Sequence, residues 1–167
     1  MKELIVVYEL EQIDTVERYI TDVAPHAKVV ALNYVVEQEF IKRGITVLPL
    51  TNYCKSWTDS PEILARVLNL SREWYQLPEM SFFQHKGLRI GEMFEAILAM
   101  YLQDTHSYLF LFKRILDAHP NIQRIIVPHS MHRVTATAGP FALFQIHIIA
   151  ATGKFCAEQR DIVFGTI

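Results

Sequence analysis

The richest cluster of polar side chains in this 167-residue chain lies in the stretch Pro128–Arg133. It holds His129, Ser130, His132 and Arg133 within five positions. An imidazole can carry a proton near neutral pH, a hydroxyl can donate or accept a hydrogen bond, and a guanidinium can pair with an anion. The stretch therefore indicates either a binding site for a small polar ligand or a loop whose side chains cap a helix and satisfy loop carbonyls.

The elements around this stretch indicate where it lies. A buried-type strand is predicted over residues 124–127, and a short helix over residues 135–144. In an open α/β sheet, ligands bind outside the carboxyl ends of the strands, where the strand order reverses. In a sheet of order 3-2-1-4-5 the first and fourth strands are neighbours at that point. We therefore expect Glu9, which follows the first strand, to face His129 and Ser130 across a crevice.

Short apolar runs alternate with amphipathic segments along the chain, which is typical of an α/β fold. Strands are predicted over residues 4–8, 28–32, 45–50, 124–127 and 146–150, with a further strand over residues 162–167 at one edge. These elements predict a single Rossmann-like domain over residues 1–167, a doubly wound three-layer α/β/α parallel sheet in the order 3-2-1-4-5. Mid-strand positions should be nearly inaccessible: Val6, Val30, Val47, Ile126 and Ile148.

Helix boundaries are predicted from capping residues. Asp14 and Glu17 have the spacing of a capping box, and Asn33 suits the N-cap of a helix that runs to Arg43. Ser60 followed by Pro61 predicts another helix start. A long apolar helix is expected from about residue 90 to residue 118, with a break near residues 104–105.

The turn after the first strand lacks the glycines of a dinucleotide-binding site. A Rossmann dinucleotide site needs glycines there so that the backbone can approach the pyrophosphate. This chain has Glu9-Leu10-Glu11-Gln12 instead, and its two carboxylates would repel a phosphate. His129 and His132 lack the further ligands that zinc requires. We therefore expect no cofactor and no metal.

A second basic cluster comprises His85, Lys86 and Arg89, beside Gly87 and Gly91. Such a cluster at the start of the long helix can bind an anionic sugar or a phosphate. It can equally be a solvated loop in which the glycines only bend the chain. Both interpretations of His85 and Lys86 stay open at this stage.

Composition limits the classes of partner. The chain has 16 basic and 18 acidic side chains, a formal net charge of -2 and a mean hydropathy of +0.16, so we expect no nucleic-acid partner and no intrinsic disorder. Cys54 and Cys156 are far apart in sequence, which indicates reduced thiols in a cytoplasmic protein. Residues 134–153 carry no charge, but Gly139-Pro140 interrupts them, so we expect no membrane span.

The segment Phe82-Phe83-Gln84-His85-Lys86-Gly87-Leu88-Arg89-Ile90-Gly91-Glu92 carries a family resemblance. With the long apolar helix, the strand Ile125-Ile126-Val127, the loop at His129-Ser130 and the run Ile146-His147-Ile148-Ile149, it resembles the N-terminal Rossmann-like half of GT-B glycosyltransferases and related surface-carbohydrate biosynthesis proteins. The resemblance covers most of the chain.

The resemblance implies a domain on the acceptor side, which binds a sugar, a sugar phosphate or another small polar ligand at the carboxyl edge of the sheet. GT-B enzymes hold their nucleotide-sugar donor mainly in a second domain, so this chain alone is not expected to complete glycosyl transfer. Because the last apolar run, residues 162–167, has no polar tail, we expect either a piece of a longer protein or pairing of that strand with the chain's own sheet or with another subunit. The alternative is a free-standing α/β interaction module without catalysis, for example a homodimer.

Overall fold

The computed structural model of the chain describes residues 2–53, 61–129 and 140–167. The described residues form two compact units, each with its own internal contacts. The sheet unit consists of residues 2–53, 108–129 and 140–167, and the middle unit consists of residues 61–107. The expectation of a single domain over residues 1–167 stays a prediction.

The described residues contain seven strands: β1 (Glu3–Val7), β2 (Lys28–Ala31), β3 (Val47–Leu48), β4 (Gln84–His85), β5 (Leu88–Arg89), β6 (Arg124–Ile126) and β7 (Val163–Gly165). They also contain five α-helices: α1 (Ile13–Asp22), α2 (Tyr34–Lys42), α3 (Pro61–Glu73), α4 (Glu95–Ala118) and α5 (Pro140–Glu158). Short 3₁₀ turns connect several of these elements, and one of them, Leu10–Gln12, leads into α1.

Five strands form one parallel sheet in the order β3-β2-β1-β6-β7. Val6 pairs with Val30, and Leu4 pairs with Ile125. Counted within the sheet, this is the predicted order 3-2-1-4-5, and the sheet is Rossmann-like. The strand order therefore reverses between β1 and β6.

The fifth strand is not the one that the sequence predicts. Residues 146–150 lie inside α5, and the fifth position in the sheet is taken by β7, the predicted C-terminal edge strand. A short apolar run fits a buried strand and a buried helix equally well, and Pro140 at the first helical position marks the start of the helix. The expected break near residues 104–105 is also absent, since α4 is continuous there.

Helices cover both faces of the sheet with apolar side chains, which explains why Leu4–Val7 in the central strand β1 are apolar on both faces. Leu4 and Val6 lie in one core cluster with residues of α4 and α5. Ile5 and Val7 point to the opposite face and lie in a second cluster with residues of α1 and α2. The alternation along β1 thus places helices on both sides, as a doubly wound fold requires.

The core prediction is confirmed at three positions. Val6, Val30 and Ile126 are buried. Val47 is half-buried because β3 is a two-residue strand at the edge of the sheet. Ile148 is half-buried because it lies on a helix, where neighbouring Ile149 takes the core-facing position.

Two further findings bear on the sequence expectations. Within residues 2–53, 61–129 and 140–167, no helix has the length and hydropathy needed to cross a membrane. Cys156 is a free, buried thiol, and burial raises its pKa. Cys54 lies outside the described residues.

Candidate functional site

A capping box between Glu9 and Gln12 stabilises the turn after β1. The sequence predicts the box later, at Asp14 and Glu17. The Glu9 side chain accepts from the backbone N–H of Gln12, and the Gln12 side chain accepts from the backbone N–H of Glu9. This exchange satisfies donors that would otherwise be orphaned at the start of the helical segment. Glu9 is consequently buried, with 7% of its surface exposed.

Gln12 links this turn to the exit of β6. Its carboxamide oxygen accepts from the N–H groups of Tyr8 at 2.9 Å and Glu9 at 3.1 Å. Its Nε2 donates to the carbonyl oxygen of Pro128 at 3.1 Å, across 116 positions of sequence. Gln12 is 2% exposed. The two strand exits on either side of the order reversal are therefore fastened to each other by one buried side chain.

The residues that follow β6 are hydrogen-bonded to β7 and to Ile167, which follows β7. The N–H of Val127 donates to Gly165, and the N–H of His129 donates to the carbonyl oxygen of Ile167, each at 3.1 Å. Pro128 is buried, whereas the His129 residue is exposed. His129 therefore lies exposed at the carboxyl edge of the sheet. Its N–H is hydrogen-bonded to Ile167, and the carbonyl of the preceding Pro128 is hydrogen-bonded to Gln12.

The exit of β2 lies at the same edge. The N–H of Leu32 donates to the carbonyl oxygen of Val7 at 2.8 Å. As predicted, Asn33 caps α2, with its side chain accepting from the N–H of Val35 at 2.8 Å. Tyr34 is 72% exposed. The carboxyl ends of β1, β2 and β6 and residue Ile167, which follows β7, therefore lie at the same edge of the sheet.

The sequence-predicted site residues fall into three groups. Glu9 and His129 belong to the fastened exits of β1 and β6. Ser130, His132 and Arg133 lie outside the described residues. His85 and Lys86 belong to the middle unit, where β4 and β5 form a two-residue antiparallel hairpin.

The hairpin gives Lys86 and Gly87 a local structural role. Their φ angles are +47° and +80°, the left-handed pair that a tight hairpin turn requires. Lys86 is exposed. The backbone thus accounts for the glycine at position 87, as the solvated-loop interpretation expects, and leaves the binding interpretation of His85 and Lys86 a prediction.

The amino edge of the sheet carries its own charged cluster. The Glu3 carboxylate accepts from the Tyr19 hydroxyl at 3.0 Å and from the Arg124 guanidinium at 3.4 Å. Burial and the Glu3 carboxylate raise the pKa of Tyr19. Tyr19 of α1 and Arg124 of β6 are thus both joined to Glu3 of β1. This cluster lies at the edge of the sheet opposite to the one that holds Glu9 and His129.

The sequence analysis did not predict the contact between two polar side chains, Tyr53 and His119. The Tyr53 hydroxyl oxygen lies 2.7 Å from His119 Nε2, and the two rings meet edge to face. Burial, and secondarily the Lys28 ammonium, lower the pKa of His119. Neither residue belongs to a recognisable motif, and 66 positions separate them, so no sequence signal pairs them.

Among the described side chains, no group of three or more His, Cys, Asp or Glu is placed to hold a metal ion. Comparison of the chain with protein-family models, with curated proteins and with solved structures finds no match.

Proposed function

We propose that the carboxyl edge of the sheet unit binds a small polar ligand, a sugar or a sugar phosphate, as the acceptor-side domain of a glycosyltransferase-like protein. On this proposal the chain positions its ligand and does not complete a transfer reaction by itself. The ligand lies over the exits of β1 and β6, with His129 at its side.

The observation that carries the proposal is the Gln12 bridge. The bonds from Gln12 to Glu9 and Pro128 hold two exits in fixed register at the point where the strand order reverses. This is the place where open α/β sheets bind ligands. A buried amide that joins two turns is the kind of support that a preorganised binding site needs.

The side chains at this edge suit a hydroxyl-rich ligand. The exposed His129 imidazole can donate or accept a hydrogen bond. Glu9, whose carboxylate accepts from the Gln12 N–H, belongs to the same edge, and a carboxylate is a group that accepts hydrogen bonds from sugar hydroxyls. Arg133, which the sequence places four positions after His129, would pair with the phosphate of a sugar phosphate.

The test is an equilibrium titration of sugars, sugar phosphates and nucleotides against the wild type and two variants. Glu9→Gln keeps an oxygen for the capping box, and His129→Ala alters an exposed residue, so both should fold. We expect each to weaken the best ligand by about tenfold, the effect of losing about 1.4 kcal/mol.

His26→Ala is the matched control, since His26 is an exposed histidine in the turn before β2, at the amino edge. It should bind like the wild type. If no compound of the panel binds, or if both edge variants bind as tightly as the control, the proposal is wrong.

The edge strand β7 favours a second candidate function, self-association as an interaction module. β7 ends the strand order, and its first residue, Val163, is 55% exposed. Edge strands of this kind can pair with another chain. Light scattering would then show a concentration-dependent dimer that Val163→Lys disrupts, while a monomer at high concentration would exclude it.

A further inference from the structure

The middle unit contains an apolar pocket of about 300 Å³. One wall is Trp74, and the other is the start of α4 with the turn before it, so that three aromatic and two aliphatic side chains line the space: Trp74, Phe94, Ile97, Leu98 and Tyr101. None of these side chains carries a charge at neutral pH. The pocket lies wholly within residues 61–107 and does not depend on the function proposed above.

Two contacts fix the walls of this pocket relative to each other. The Arg72 guanidinium, two positions before Trp74, pairs with the Glu95 carboxylate at 2.7 Å. The backbone of Gly91 packs directly on Tyr75, so closely that a Cβ at position 91 would lie 2.2 Å from the Tyr75 Cβ. Trp74 in turn meets the Tyr75 ring edge to face at 5.7 Å. Both walls are thus joined by contacts beside the pocket.

We propose that this pocket binds a small, uncharged aromatic or alkyl group of a free ligand. Its volume is at the lower end of the range for ligand pockets, about 300–1,000 Å³. An apolar cavity of roughly half that size, about 150 Å³, already binds benzene in another protein. A charged occupant would lose its hydration without a partner in the lining, so the ligand is neutral where it enters.

The size of the pocket favours a small ligand over a second protein chain. Specific protein interfaces bury on the order of 1,200–2,000 Å² and draw on about 20–30 residues a side. Five residues line this pocket. Its three aromatic side chains suit a single ring system.

The probe for the test is 1-naphthol, titrated into the full chain at neutral pH and followed by saturation-difference NMR. Ile97 lines the pocket and is 40% exposed, so Ile97→Glu places a charge at the opening without burying it in the core. Met100→Glu is the matched control, because Met100 is an exposed residue of the same helix that does not line the pocket.

We expect saturable binding of 1-naphthol that Ile97→Glu weakens by about tenfold or more and Met100→Glu leaves unchanged. Circular dichroism establishes that both variants fold, and Leu98→Trp, which fills the pocket with a larger side chain, gives a second test of the same loss. The proposal is overturned if the wild type shows no saturable binding or if Ile97→Glu binds as the wild type does. It is overturned equally if light scattering shows a dimer that Ile97→Glu dissociates, since the occupant would then be a second chain.

Discussion

At the scale of single residues, the Gln12 carboxamide satisfies three backbone groups that belong to two distant turns. The sequence shows that a glutamine follows the first strand, and it shows that a dinucleotide turn is absent. It does not show that this glutamine reaches Pro128, because that bond depends on the packing of β1 beside β6 and not on any local spacing. Gln12 therefore contributes most to the geometry of the candidate site, although it belongs to no sequence motif.

Replacing Gln12 should be costly. Gln12→Ala leaves the N–H groups of Tyr8 and Glu9 and the carbonyl of Pro128 without their shared partner, which should lower the free energy of unfolding by about 1–3 kcal/mol. Urea denaturation measures the loss. Gln159→Ala, at an exposed glutamine, should stay within about 0.5 kcal/mol of the wild type. A Gln12 variant as stable as that control would mean that the bridge contributes nothing.

His119 makes stability depend on pH in a defined direction. Its pKa in the folded chain is below the ordinary value of 6.5, so the unfolded chain binds the proton more tightly. The free energy of unfolding should then fall as the pH drops through 6.5 toward the folded pKa, and this contribution should level off below it.

Urea denaturation between about pH 5 and about pH 7.5 checks this sign. His119→Gln should flatten that part of the profile, whereas Gln159→Ala, at an exposed residue that does not titrate, should keep the slope of the wild type. Equal slopes in His119→Gln and the wild type would contradict the assignment.

At the scale of elements, the strands that pair in the sheet were predictable and the last helix was not. A continuous apolar run such as Leu4–Val7 is typical of a strand in the middle of a parallel sheet. The run at residues 146–150 is also mostly apolar, but burial along this segment and the residues after it follows a helical spacing, with Ile149, Thr152, Cys156 and Ala157 buried. Because this helix is apolar almost all round, its period is hidden in the sequence.

We expect the central strands of the sheet unit to contribute strongly to its stability. Ile126 is fully buried on the face covered by α1 and α2. Ile126→Ala should lower the free energy of unfolding by about 2–5 kcal/mol, the range for large-to-small changes in a core. Ile41→Ala, at a residue that is 53% exposed, is the control and should cost far less. A loss below about 2 kcal/mol for Ile126→Ala would mean that β6 is peripheral.

The helices α1 and α2 are joined at their surface by Arg43. Its guanidinium lies 2.5 Å from Asp14, 2.8 Å from Glu17 and 3.2 Å from Glu39. The hydrogen bond from Arg43 is the main reason that the pKa of Glu39 is lowered. This contact is exposed, so salt should screen it.

Arg43→Gln should therefore lower the melting temperature at low ionic strength, and the difference from the wild type should shrink between about 0.05 M and about 0.5 M sodium chloride. Lys42→Gln, which removes a single 3.5 Å pair with Glu39, should have a smaller effect. A difference that does not change with salt would show that the Arg43 side chain acts by packing rather than by charge.

At the scale of the whole molecule, strand order was the most predictable property. Right-handed crossovers and a first strand that is apolar on both faces leave few arrangements, and the order 3-2-1-4-5 is the one found. The division into a sheet unit and a middle unit was not predictable, because residues 61–107 contain helices and a hairpin whose patterns continue those of the sheet unit without a linker-like composition. The assignment of a ligand to the carboxyl edge depends on the strand order and on the Gln12 bridge together.

Backbone amide chemical shifts during titration with the best ligand of the sugar and sugar-phosphate panel test that assignment most directly. This assignment predicts that the largest shifts cluster at the exits of β1 and β6, at the amides of Tyr8, Glu9, Gln12 and His129, and that in His129→Ala they reach half of their full size only at about ten times the ligand concentration. Shifts that cluster at the amino edge around Glu3 and Arg124, or within residues 61–107, would contradict it.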